Sequence, residues 1–269
     1  MILKPGKFAK PIKGHWATKN LIACLLMNEG SGDKVIDVSG NNRIITLMNS
    51  PNWIPGPAID FDGSTQYGSS TWTDFDGRNG FTVIARVNPD SVDSSEDTII
   101  GKYDYGGGKR EWRLLRYEDD IRWFIGEDGT YNSAREEVAA TVLTVGKWVD
   151  VACIWDGANT KIYIDGILKT SDTYGTGLYY SDSPILIGIA GNGSHVHYWD
   201  GKISFIYIFN RALAASEIAG LYREPFCMFD YEPIELWSAA TQGGAAPPVG
   251  KTGAKYVPYG SLGVQTFAA

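Results

Sequence analysis

Hydrophobic and polar positions alternate with a period of two through the middle of the chain. Phe81, Val83, Ala85 and Val87 share one face, with Thr82, Ile84 and Arg86 on the other. Val149, Val151, Cys153 and Trp155 repeat the pattern opposite Trp148, Asp150, Ala152 and Ile154. Successive side chains of a strand point to opposite faces, so each segment predicts a strand with one face on a core and the other on solvent or a second layer. Six Asp-Gly steps, at 62–63, 76–77, 128–129, 156–157, 165–166 and 200–201, punctuate the chain. This pair favours tight turns with positive φ. Segments 112–117 and 121–125 around Glu118-Asp119-Asp120 predict one hairpin, and 161–164 and 167–170 around Asp165-Gly166 a second. Helical spacing stands out once, in Leu213, Ile218, Leu221 and Tyr222, and Pro225 stops it. Many short strands and one short C-terminal helix predict an all-β fold, a two-sheet antiparallel sandwich.

The ends differ from this middle. Residues 1–19 carry Lys4, Lys7, Lys10, Lys13 and Lys19 and no acid, so they read as a basic arm, either solvated or docked on an acidic partner. Residues 238–269 are rich in Gly, Ala and Pro and also lack acids; Tyr256, Val257, Tyr259, Leu262, Val264 and Phe267 are their expected anchors, on the chain's own domain or on a neighbouring subunit. The expected division is a basic arm (1–19), a sandwich (20–222) and an extended tail (223–269). The length of 269 residues suits one large all-β domain, and an apolar fraction of 43% is ample for its core. A net charge of −7 argues against nucleic acid as a partner. Cys24, Cys153 and Cys227 are odd in number and widely spaced, which predicts free thiols in a reducing compartment, with Cys153 filling the core. No apolar run approaches the ~20 residues that span a membrane, and the run 21–27 behind the lysines lacks the small-residue cleavage site of a signal peptide.

Several segments together resemble the laminin G-like, concanavalin A-like domains. They are Asp60-Phe61-Asp62-Gly63-Ser64-Thr65-Gln66-Tyr67; the strand from Phe81 to Pro89; Trp148 to Trp155 with Lys161-Ile162-Tyr163-Ile164-Asp165-Gly166; and Trp199-Asp200-Gly201-Lys202-Ile203 followed by Ile206 to Leu213 and Glu217-Ile218. Segment 21–28 and Asp37-Val38-Ser39-Gly40-Asn41 are similar to the family's first strand and turn, so the likeness runs in order from about residue 20 to 222. Arg86 stands where the family has an aromatic, and Ser204-Phe205 replaces an acidic pair. The resemblance implies a jelly-roll sandwich. It also implies a structural calcium to which Asp60, Asp62 and Asp200 would contribute, although the Ser204-Phe205 replacement removes the most useful further carboxylate. Segment 221–229 resembles proteins of tailed bacteriophages and prophages. That likeness implies a virion protein made in a host cytoplasm, most of all a capsid decoration protein. It would dock on a capsid or other virion protein through Lys4, Lys7, Lys10, Lys13, Tyr256, Tyr259, Leu262 and Phe267, as a homo-oligomer such as a trimer.

The related fold also hosts glycoside hydrolases, which need paired carboxylates about 5–5.5 Å apart for retention. No strand here supplies such a run. Glu118 and Asp120 sit in a turn, while Glu127-Asp128 and Glu136-Glu137 are adjacent and would face opposite ways. His195 and His197 would share a strand face, a geometry that can bind a metal, but no third ligand is evident and a polar loop pair is expected. A glycan site needs exposed rings, and the candidates are Tyr103, Tyr105, Trp112, Tyr131, Tyr198 and Trp199, with Tyr179 and Tyr180 as further rings. The expected function is therefore a non-catalytic virion protein. The alternative is a carbohydrate-binding or receptor-binding module on a tail fibre or bacterial surface, and a glycosidase stands third. No catalytic residue, cofactor or membrane partner is expected.

Overall fold

The computed structural model describes residues 4–6, 9–105, 107–130, 135–174, 177–191 and 196–230. The chain divides into two units, Met1–Tyr231 and Glu232–Ala269, and every described residue belongs to the first. Lys7, Tyr131, His195, Tyr256, Tyr259, Leu262 and Phe267 therefore lie outside the described residues.

Two large antiparallel sheets face each other. The first runs Ile167–Thr173, Asn159–Ile164, Val149–Trp155, Phe81–Pro89, Asp200–Phe209, Ala58–Asp62, Asn52–Ile54 from edge to edge, and Leu21–Leu25 also pairs with Asp200–Phe209. The second runs Arg135–Ala139, Asp120–Gly129, Lys109–Tyr117, Glu96–Asp104, Leu186–Ile187, Tyr67–Ser70, Ile44–Met48, Lys34–Ile36. Ile189–Ala190 and His197–Tyr198 form a small separate ribbon. The period-two segments behave as their pattern requires. Phe81, Val83, Ala85, Val87, Val149, Val151, Cys153 and Trp155 all enter the core between the sheets. Their alternates Ile84, Ala152 and Ile154 enter a second buried layer on the outer face of the first sheet. Both expected hairpins form: Tyr117 pairs with Asp120, and Ile164 with Ile167. Asp165 and Gly166 take φ values of 50° and 77°, the paired left-handed geometry of a tight hairpin turn.

The second layer corrects the expected ends of the domain. The helix Ala215–Arg223 packs Ile218 and Leu221 on the outer face of the first sheet, and the chain then continues inward. Phe226, Met228 and Phe229 are all buried there, with Phe226 edge-on to Phe205 at 5.7 Å and the Tyr207 hydroxyl donating to the Pro225 carbonyl. Pro11 bridges to Phe229, and the Ile12 amide donates to the Met228 carbonyl at 2.7 Å. Residues 9–19 and 223–230 thus complete the sandwich; they are not free arms.

Lys4 is the clearest departure from a docking arm. In Asp200–Phe209 the register against Phe81–Pro89 shifts between Ile203 and Phe205, so Ser204 is bulged. A bulge leaves backbone groups outside the ladder. The Lys4 ammonium donates to the Ser204 carbonyl at 2.5 Å and to those of Leu26 and Pro57 at 2.6 and 2.5 Å. Burial pushes this amine down to about 7, with Glu29 pulling it up and Arg86 pushing it further down. Lys4 therefore ties the arm to its own domain and is not available to an acidic partner, whereas Lys10 and Lys13 are exposed.

Candidate functional site

The outer face of the second sheet brings charge and aromatic rings together. Trp112, Leu114, Trp123 and Ile125 point inward, so alternation sends Arg113, Leu115 and Phe124 outward. A register shift between Lys102 and Tyr103 re-aims the end of the neighbouring strand, and Tyr103 lies on this outer layer with Leu115, Phe124 and Ala190. Tyr103 meets Phe124 edge-on at 4.9 Å and Tyr105 edge-on at 5.0 Å. His197, delivered by the small ribbon, stacks on Tyr105 at 5.3 Å with 29° between the planes. Its Nδ1 lies 3.1 Å from the Glu96 carbonyl oxygen and 3.9 Å from the Glu96 carboxylate.

Arginines frame these rings. The Arg113 guanidinium sits 4.7 Å from the Tyr103 centroid and closes on Glu96 at 2.6 Å. Arg110 lies over Tyr105 at 5.0 Å. Arg122 stands over Tyr117 at 4.3 Å and pairs with Glu136 at 3.0 Å. Burial raises the Glu96 carboxyl, but the charge and hydrogen bond of Arg113, with His197 behind them, outweigh it and hold Glu96 below its ordinary range. Burial likewise pushes the Tyr103 hydroxyl up, so it stays protonated. Arg113 and Tyr103 are buried and form the floor, while Tyr105 and Arg110 are half-buried and His197 and Glu96 keep 23% and 29% of their side chains exposed. Such a face can stack a flat apolar ring surface and hydrogen-bond groups at its edge.

The expected glycan rings separate into three groups. Tyr103 and Tyr105 come together on this face. Tyr198 points to the other side of its ribbon and lies 6.4 Å from Tyr67. Trp112 and Trp199 have no exposed surface and belong to the core between the sheets, so their proposed contact with a ligand is corrected. Trp112 packs against Phe75, Phe81 and Trp123, which leaves it no side open to a partner. Arg110, Arg113, Glu96 and His197 as a ring partner were not evident from the sequence. The charge-rich strand Lys109–Tyr117, with arginines at 110, 113 and 116, was the signal that pointed to them.

The expected calcium ligands stand near one another, with Asp62 opposite Asp200, but they are engaged in other ways. Burial raises Asp62, yet hydrogen bonds from Thr65, Ser64 and Gln66 outweigh it and hold the carboxyl far below its ordinary range; Asp62 organises its own turn. That turn packs on Asp200, where a Cβ at Gly63 would approach the Asp200 Cβ to 2.7 Å. Asp60 faces Lys202 at 3.5 Å, and Lys202 reaches Asp90 at 2.5 Å. An ammonium thus lies between the two carboxylates, and among the described residues no group of three or more His, Cys, Asp or Glu side chains is arranged to hold a metal. Glu118 takes φ 54° in its turn, and Asp120 accepts from the Thr141 amide and faces Arg122 at 3.7 Å.

Comparison with known proteins agrees with this architecture. Solved structures similar to the chain include the botulinum neurotoxin serotype D binding domain, at 16% identity and a TM-score of 0.61 over 77% of this chain and 52% of that one. Botulinum neurotoxin type C, whose access to cells depends on two ganglioside molecules, matches at 16% identity and 0.60 over 76% and 51%. The binding domain of botulinum neurotoxin DC, solved with rat synaptotagmin II, matches at 16% and 0.60 over 76% and 51%. The chain spans about half the length of these structures, and identities this low establish the fold alone. No curated protein matches the sequence. A laminin G-type family model matches residues 62–219, from the Asp62 turn to the helix that closes the sandwich. The chain therefore belongs to the concanavalin A-like lectin/glucanases superfamily.

Proposed function

We propose that the protein is a non-catalytic binding domain that holds a glycan on the outer face of its second sheet. The observation that carries this reading is the Tyr105–His197 stack, seated on Tyr103 and edged by Arg110 and by the Arg113–Glu96 pair. A half-buried aromatic on a rigid buried floor loses little entropy on binding, and the part of the Tyr105–His197 stack that stays exposed offers a sugar apolar surface beside hydrogen-bonding groups. Ganglioside and receptor binding by structurally similar toxin domains supports the reading in kind, though not in site. A glycan array with the whole chain tests it. Retention of a glycan is expected, with Tyr105→Ala weakening the interaction about 10-fold or more. An array without any retained glycan, or a Tyr105→Ala protein that binds as well as the parent, would remove the reading.

A second reading concerns the ends of the chain. The tail divides from the sandwich at Glu232 and carries no acid beyond residue 238, which suits a segment that docks on a virion. On this reading the protein is a head-attached decoration protein of a phage-type particle, oligomeric and assembled in the host cytoplasm, with the glycan-binding face turned outward. Lys4 takes no part in that docking, because it is tied inside its own domain. A chain ending at residue 231 should lose particle attachment; one that still attaches would exclude the tail as the docking element.

A further inference from the structure

Arg110 differs from Arg113, Arg116 and Arg122 of the same sheet. Arg113 is closed by Glu96 at 2.6 Å, Arg122 by Glu136 at 3.0 Å, and Arg116 by Asp97 and Asp93 at 2.5 and 3.0 Å. Among the described residues no carboxylate lies within ion-pair distance of Arg110, and its guanidinium has no hydrogen-bond acceptor; its Nε is buried without a partner. Only rings hold it, Tyr105 at 5.0 Å and Tyr103 at 6.0 Å. The Nε and Nη1 of Arg113, beneath the same rings, are also buried without acceptors. Of the three guanidinium charges that frame the rings, Glu96 balances Arg113 and Glu136 balances Arg122, which leaves Arg110. This local excess of positive charge stands on a chain whose net charge is −7.

A guanidinium placed over aromatic rings keeps N–H groups for other partners, and its forked donors match the two oxygens of a carboxylate. A half-buried cation without a counter-ion is unfavourable until an anion arrives. We propose that the ligand of this face is an acidic glycan, whose carboxylate is taken by Arg110 while the sugar ring lies against the exposed part of the Tyr105–His197 stack. The inference rests on the reading of this face as a glycan site and narrows it to sialic or uronic acid sugars.

Binding of the whole chain to matched pairs of immobilised glycans tests it, each pair differing only by a carboxylate sugar. Lactose with 3′-sialyllactose is one pair, and lactose 3′-sulfate serves as a separate anionic probe. The acidic member should bind about 10-fold or more tightly than its neutral partner, as a charge-assisted bidentate contact implies. Arg110→Gln should bring that ratio to within about twofold of one, with an unchanged thermal midpoint showing that the fold is intact. Raising the salt concentration should narrow the same ratio. Equal binding of neutral and acidic members, both weakened by Tyr105→Ala, would overturn the acidic-ligand inference and leave the glycan site standing. Sulfated lactose binding as tightly as the sialylated form would overturn the assignment to a carboxylate. Absence of binding to every member would remove the site reading itself.

Discussion

Glu111 and Lys102 face each other at 3.0 Å, and neither side chain reaches solvent. The Glu111 carboxylate also accepts from the Ser181 amide and hydroxyl, while Lys102 donates to the Phe75 carbonyl and lies 4.5 Å over Tyr180. Burial dominates all of these and pushes Glu111 up to about 7 from an ordinary 4.5. The folded protein thus holds this proton more tightly than the unfolded chain. Its contribution to stability is full below about pH 4.5 and is lost as the pH rises to about 7. Asp150, pushed by burial up to about 6 against the pull of Arg86, acts in the same direction. Each tenfold change in proton affinity is worth ~1.4 kcal/mol, so the loss from Glu111 is on the order of 3 kcal/mol. Glu111→Gln should flatten the fall in urea midpoint between pH 5 and pH 8; an identical fall in the variant would refute this account of the pair. The same sheet shows what single residues disclose in a sequence. Trp112 and Tyr105 both look like ligand rings there, since period-two alternation assigns a face but not what covers it. Trp112 faces the opposing sheet and Tyr105 faces His197, which arrives from more than ninety positions further along the chain.

At the scale of elements, the long strands and their turns were legible because alternation and Asp-Gly steps are local signals. The hairpin around Asp165-Gly166 and the strand Phe81–Pro89 form where their patterns place them, and the helix of segment 213–222 is observed as Ala215–Arg223. Ala214 has no side-chain oxygen to cap that helix, so its start relies on Glu217, which accepts from the Ala214 amide at 2.9 Å and from Arg211. The N-terminal arm was not legible. Five lysines without an acid describe a charged segment, and nothing local reveals that Lys4 meets three carbonyls from segments as distant as residue 204. Lys4→Met keeps the stem and removes the donors. Leaving partly buried carbonyls unpaired should lower stability by ~1–3 kcal/mol, read as a lower urea midpoint. An unchanged midpoint would mean that the arm does not hold the Ser204 bulge.

At the scale of the whole molecule, the sandwich has a core on each side of its first sheet. The inner core joins the two sheets, and the outer one joins the helix, the arm and residues 226–229. A chain ending at residue 231 keeps every buried residue of this outer layer. One ending at 222, the boundary suggested by sequence likeness, loses Phe226, Met228 and Phe229 and should fall by several kcal/mol or fail to fold, at ~2–5 kcal/mol for each large buried side chain removed. Equal midpoints for the two truncations would show that this outer layer adds nothing.

The position of Asp200–Phe209 also orders events in time. It is among the last strands to be synthesised, yet it lies in the middle of the first sheet, against Phe81–Pro89 on one side and Ala58–Asp62 and Leu21–Leu25 on the other. A nascent chain that stops short of residue 200 holds two halves of a sheet with an empty slot between them. Its exposed strand edges are templates for pairing with other chains. Closure needs partners that lie well over a hundred residues apart, the kind of topology that folds slowly. The central position of this late strand therefore makes closure of the sandwich wait until residue 209 has been synthesised, and it makes the interval before that the one in which the chain most needs protection from its neighbours.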